Sequence, residues 1–249
     1  AVVTGASSGI GAEVTRVLVK KGMIVVGMAR RVELLQDLAR ELSKDKGKFH
    51  AVKVDVTKEE DIVDAFRWVE LNTDGVDVLV NNAGFLAMDS ITGGSRDVFT
   101  KILDINVLGL TSCSREAVKS MRKKGAEDGV IININSVAGL KVIGPVFPFY
   151  TASKFAVRAL SEALYKELSV SGSTIRVTNL SPGAVQTNMY TDIVKKEIPI
   201  DIPDEDILRP SDIAEAIVYV LSTDKRVYIP EMTIMTTVNV DNLKIKNQE

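Results

Sequence analysis

The chain has one cysteine, Cys113, and one histidine, His50. A single cysteine excludes an internal disulfide and suits a reducing compartment, so a cytoplasmic location is expected. His50 has no second histidine or cysteine to share a metal with, so no metal site is expected, and it reads as a surface residue beside a strand. Net charge is nearly absent too: Lys+Arg 31 stand against Asp+Glu 33, without a basic stripe. No nucleic-acid partner is therefore expected. No apolar run is long enough to span a bilayer. The richest stretch, Val130 to Tyr150, is interrupted by Asn133, Asn135, Ser136 and Lys141. Repeats, low-complexity tracts and Pro/Gly-rich linkers are missing, which leaves 249 residues for one domain, 1–249. The chain opens at Ala1-Val2-Val3-Thr4, without methionine and already inside an expected strand. An upstream segment is expected, and a signal or anchor there stays open.

What is present is alternation of strand and helix. Strands are expected at Ala1–Thr4, Met23–Met28, Phe49–Val54, Val76–Asn81, Gly129–Asn135, Ser173–Leu180 and Tyr228–Met235. Helices are expected from Ile10, at Val32–Ser43, at Lys58–Leu71 with Thr57 as N-cap, and over a long stretch from Ser95 to Lys123. Two more are expected at Tyr150–Ser169 and Ser211–Leu221. Apolar strands without polar alternation, each followed by a helix, imply a parallel sheet covered on both faces. Right-handed crossovers make it an α/β, doubly wound sheet. Residues 187–210 carry Pro199, Pro203 and Pro210 among acidic residues and read as a substrate-binding lid, with a plain connector as the alternative. Residues 239–249 read as a loose polar tail.

The first turn is Thr4-Gly5-Ala6-Ser7-Ser8-Gly9-Ile10-Gly11. Gly5 permits a tight exit from the strand, Gly9 lets backbone approach phosphate, and Gly11 lets the helix pack closely. The helix N-terminus then faces a pyrophosphate. An NAD site usually carries Asp or Glu about 20 residues beyond the glycines. Here Arg30 and Arg31 follow Ala29 instead, and guanidinium groups pair with a 2′-phosphate. The expected cofactor is NADP(H); two solvated arginines opening a helix are the alternative. Asp55-Val56 ends the third strand, where Asp55 could accept from an adenine amine or serve only as a turn residue. Asn81-Asn82-Ala83-Gly84 ends the fourth, where small residues let a cofactor lie against backbone and Asn81 can brace the loop. Tyr150 and Lys154, four apart, fall on one helix face. A free phenol titrates near 10, and a lysine ammonium with a positive nicotinamide would move it towards working pH. A Ser136 hydrolase of the usual kind would need a histidine partner, and His50 fits no triad; a Ser–Lys pairing stays open but leaves the glycine turn unexplained.

TGASSGIG, NNAG, Asn106 within Asn-Val-x-Gly, Ser136, Tyr150-x-x-x-Lys154 and Pro182-Gly183-x-x-x-Thr187, in this order, resemble the classical short-chain dehydrogenase/reductase family. Leu208 to Ser222 is similar to a subgroup holding the animal dehydrogenase/reductase member 11 type and insect farnesol dehydrogenase-like enzymes. The resemblance implies a Rossmann-type sheet of seven strands. It implies Tyr150 as general acid/base, Ser136 holding the substrate oxygen, and Lys154 on the nicotinamide ribose lowering the phenol pKa. Asn106 would help hold a water in a proton relay, and Thr187 would bind the carboxamide. Ser7, Ser8, Ile10, Pro182, Gly183 and Val185 complete the cofactor contacts it implies. A homodimer or homotetramer through the two long helical stretches is also implied. The gap from Ser136 to Tyr150, with Gly144-Pro145 and Phe147-Pro148-Phe149, is slightly longer than is common in the family.

Two apolar segments flank these residues: Val142, Ile143, Val146, Phe147 and Phe149, and then Val185, Met189, Tyr190 and Ile193. They suit a small hydrophobic alcohol or carbonyl substrate. The expected activity is interconversion of a secondary or allylic alcohol and its ketone or aldehyde. A non-catalytic NADP(H) sensor and an isomerase or dehydratase on the same scaffold are the alternatives.

Overall fold

The computed structural model describes residues 1–125, 128–191 and 206–237. Seven strands form one sheet: β1 Val2–Thr4, β2 Ile24–Ala29, β3 Lys48–Lys53, β4 Val78–Asn81, β5 Val130–Ile134, β6 Arg176–Pro182 and β7 Glu231–Ile234. The order is β3-β2-β1-β4-β5-β6-β7, and every pair is parallel. The helices are α1 Gly9–Lys20, α2 Val32–Glu41, α3 Glu59–Asn72, α4 Arg96–Leu103, α5 Leu110–Lys124, α6 Pro148–Val170 and α7 Pro210–Ser222.

Adjacent residues of each inner strand enter opposite cores, because side chains alternate along a strand. Val3, Val80 and Ile132 join Leu18 of α1, Leu35 of α2 and Ile217 of α7 in one cluster. Val2, Leu79 and Ile131 join Phe66 of α3, Met121 of α5 and Leu168 of α6 in the other. Both faces are dry, which is why these strands read as unbroken apolar runs. β1 pairs with β2 on one side and β4 on the other, so successive crossovers leave it in opposite directions. A crevice opens at that reversal, outside the carboxyl ends of the strands. This is the expected doubly wound, Rossmann-type fold.

Three local expectations differ. Thr57 does not cap α3: its amide and hydroxyl both go to Asp55 Oδ1, at 3.1 and 2.8 Å, and Lys58 takes the N-cap position. The long helical stretch holds a π-helical segment, Asp104–Gly109, between α4 and α5. Its fit is set by Gly109, where a Cβ would lie 2.7 Å from the Val56 carbonyl oxygen. The last strand begins at Glu231 rather than Tyr228, whose ring stacks on Tyr165. Most of the expected lid, 192–205, and the tail 239–249 lie outside the described residues.

Candidate active site

A cleft of about 650 Å³ lies at the carboxyl ends of the strands. Of the residues expected to bind cofactor or act in catalysis, all line it except Gly11 and Asn106. The glycine turn leaves β1 with Gly5 N–H bonded to the Met28 carbonyl at 2.8 Å. Gly9 opens α1 at φ +56°, a conformation that disfavours other residues. A Cβ at Gly11 would sit 2.5 Å from the Gly5 carbonyl oxygen, so helix and turn touch backbone to backbone. Ser8 stands at the N-cap, yet its side chain caps nothing. Its hydroxyl accepts from Arg31 at 2.9 Å, and Ser7 accepts from the same nitrogen at 3.2 Å. The first-turn amides of α1 are therefore left without a side-chain cap beside a guanidinium, an arrangement suited to an anion.

Asn82, not Asn81, braces the neighbouring loop. Its Nδ2 donates to the Thr4 and Gly5 carbonyls at 2.9 and 3.2 Å. The Asn82 and Ala83 amides both donate to Thr4 Oγ1 at 3.0 Å. Asn81 points instead into the interior, donating to Ser114 and Asn133 at 2.8 Å each. Thr4 was visible in the sequence, but only tertiary pairing gives it this task. Burial pushes the Asp55 carboxyl up, but the two bonds from Thr57, with Arg30 and Lys58 nearby, outweigh it and hold it below its ordinary range.

Ser136 follows β5 and caps a single 3-10 turn, accepting from the Ala138 amide at 3.1 Å. Its hydroxyl lines the cleft with the Tyr150 phenol and favours that group's ionised form. Burial pushes the Tyr150 phenol up to about 12, and the nearby Ser136 hydroxyl offsets only part of this. Lys154 Nζ lies 5.6 Å from the Tyr150 ring centre and donates to the Ile134 carbonyl at 2.8 Å. Burial brings its ammonium down to about 8. Asn106 sits in the π segment, 1% exposed. Its Oδ1 accepts from the Phe85 amide at 2.7 Å, and its Nδ2 donates to the Phe85 carbonyl at 2.9 Å and to Ser153 at 3.0 Å.

Val142, Ile143, Phe147, Val185, Met189 and Tyr190 line the cleft as expected. Val146 and Phe149 do not: the Val146 carbonyl accepts from the Asp89 amide, and the Phe149 ring stacks on Phe99. Ile193 lies outside the described residues. Phe85, Leu86, Ile105 and Met235 join the wall unforeseen. The Phe85-Leu86 pair directly after NNAG was the one sequence signal for them. His50 is not a plain surface residue, since its ring meets Trp68 edge-on at 5.4 Å. No helix among the described residues is long and apolar enough to cross a membrane.

A glycine turn at the first strand and a Ser, Tyr and Lys set beside the same cleft define a dinucleotide-type oxidoreductase site. The chain belongs to the short chain dehydrogenase family, whose model matches residues 1–198. It is 47% identical over 237 residues to farnesol dehydrogenase of Aedes aegypti, covering 94% of each chain. It is 41% identical to dehydrogenase/reductase SDR family member 11 of Bos taurus, covering 96% of each. Among solved structures it is similar to an alcohol dehydrogenase from the archaeon Thermococcus sibiricus complexed with 5-hydroxy-NADP. The TM-score is 0.84, with 28% identity over 95% of each chain. A serine dehydrogenase complexed with NADP+ gives a TM-score of 0.83 and 28% identity over 99% of each.

Proposed function

We propose that the chain is an NADP(H)-dependent oxidoreductase that interconverts a hydrophobic secondary or allylic alcohol and its ketone or aldehyde. The observation that carries this reading is that Ser136, Tyr150 and the buried Lys154 line one cleft with the glycine turn, between apolar walls. The residues fit the cofactor: Arg31 and the uncapped start of α1 suit the phosphates, and Ala83 and Gly84 leave room for a flat ring. When bound, NADP(H) supplies or accepts the hydride. Tyr150 gives the carbonyl oxygen its proton, and Ser136 holds that oxygen by a hydrogen bond. A phenol kept protonated by burial suits donation, the reductive direction. Lys154 keeps a positive charge near the phenol, and Asn106 acts by position, both of its amide N–H groups being engaged. Thr187 closes on the glycine turn, its methyl 3.0 Å from where a Cβ at Gly9 would lie, and would hold the carboxamide of the cofactor.

The farnesol dehydrogenase relative supports an isoprenoid-like substrate. Leu103, Leu108 and Phe155 are exposed on α4, the π segment and α6, which supports a homodimer or homotetramer through these elements. The lone, buried Cys113 agrees with a cytoplasmic setting. The test is NADPH oxidation by the purified chain with farnesal and with linear aldehydes of rising length. KM should fall with chain length, by up to about 0.8 kcal/mol per buried CH₂. Tyr150→Phe should still bind NADPH while losing turnover by about 10²–10⁴-fold. Wild-type kcat in that variant would overturn the assignment. A preference for short anionic carbonyls would overturn the substrate class alone.

A further inference from the structure

Two buried serines pin α6 to the rest of the molecule with the same pair of hydrogen bonds. Ser153 accepts from Asn106 Nδ2 at 3.0 Å and donates to the Tyr150 carbonyl at 2.7 Å. Ser161, about two turns on, accepts from Asn133 Nδ2 at 2.9 Å and donates to the Val157 carbonyl at 2.7 Å. Serines inside helices commonly bond back to the preceding turn, so that half of each pair is ordinary. The difference lies in the amide behind each serine. Asn133 reaches into the sheet interior, where its Oδ1 accepts from Asn81 at 2.8 Å. Asn106 instead clasps both the N–H and the C=O of Phe85, and Phe85 lines the cleft.

We propose that Ser153 is a positioning residue for Tyr150, tying the helical turn that carries the phenol and Lys154 to the Phe85 wall of the cleft. The proposal rests on the reductase reading above. Ser153 is fully buried, so its hydroxyl has no water to exchange these bonds for. Its donation to the Tyr150 carbonyl adds to the helical bond that Lys154 N–H makes to the same oxygen. Without the hydroxyl, one Asn106 N–H loses its partner and the turn is free to shift against Phe85. A displacement of about 1 Å at a reacting group can cost on the order of 10²-fold in rate.

Ser161 provides an internal control, because Ser161→Ala deletes the same two bonds eight positions from Ser153, on a helix turn that does not line the cleft. Ser153→Ala and Ser161→Ala are to be compared by thermal unfolding, NADPH binding and steady-state kinetics with farnesal or the best linear aldehyde. Both variants should lose similar stability. Ser153→Ala alone should lose kcat, by about tenfold to a hundredfold, with KM for NADPH within about twofold of wild type. Equal kinetic losses in the two variants, or none in Ser153→Ala, would overturn the positioning role. Ser153→Cys keeps the volume with weaker hydrogen bonds and should fall between alanine and wild type; it carries the same comparison if Ser153→Ala fails to bind NADPH. Tyr150→Phe is measured alongside. If it stays active, the reductase reading fails; if it is inactive while Ser153→Ala is fully active, only the positioning role fails.

Discussion

Lys154 shows what the site costs the fold. Burial takes its ammonium from an ordinary 10.5 down to about 8. Below pH 8 the folded and unfolded states are both protonated, and the full burial penalty stands. Between pH 8 and 10.5 the unfolded state binds more protons than the folded one, so stability rises with pH. Tyr150 acts the other way and later. Its phenol, pushed up to about 12, keeps its proton while the unfolded chain loses it above pH 10. Stability from this pair therefore falls from pH 10 towards 12. Urea unfolding at pH 8 and pH 10 should show a gain on the order of 1–3 kcal/mol in the ligand-free wild type. Lys154→Met should abolish that gain. A gain of the same size in the variant would assign it to other groups.

At the level of elements, the join between β1 and α1 is a backbone contact. Gly11→Ala would drive a methyl into the Gly5 carbonyl and the Asn82 amide, so α1 must lift away from the turn. Overpacking of this kind costs about 1–3 kcal/mol. NADPH binding should weaken by tenfold or more, because the start of α1 moves with it. Fluorescence titration and thermal unfolding measure the two effects, and unchanged affinity would show that the turn tolerates the shift. Local spacing explains why this join, the strand–helix alternation and the Tyr150–Lys154 pair were legible in the sequence. Each depends on residues within a turn or two of one another. The π segment was not legible, because Asn106 finds Phe85 and Gly109 finds Val56 only after the chain has folded. Phe149 read as substrate wall for its apolarity alone, and Phe99 claimed it. Thr57 read as a cap, but the Asp55 carboxylate lay closer. Ser136 and Tyr150 were legible only as a meeting of roles, with no sign that burial would set the phenol's direction.

Across the whole molecule, the exposed Leu103, Leu108 and Phe155 give the α4–α6 side its apolar character. Leu108→Glu should turn the proposed oligomer into a monomer that keeps its far-UV circular dichroism. Sedimentation velocity reads the change, and an unaltered assembly would move the interface elsewhere. Seven parallel strands also divide the protein into two unlike rims. The cleft opens where strands end. The rim where strands begin carries return turns such as Lys21-Gly22, Thr73–Gly75 and Ser171–Ser173. At Gly172, φ +75°, a side chain would meet nothing within 4 Å. A peptide spliced into Ser171–Ser173, or a surface tether attached there, would hold the molecule by its blank side and leave the cleft facing the bulk solution.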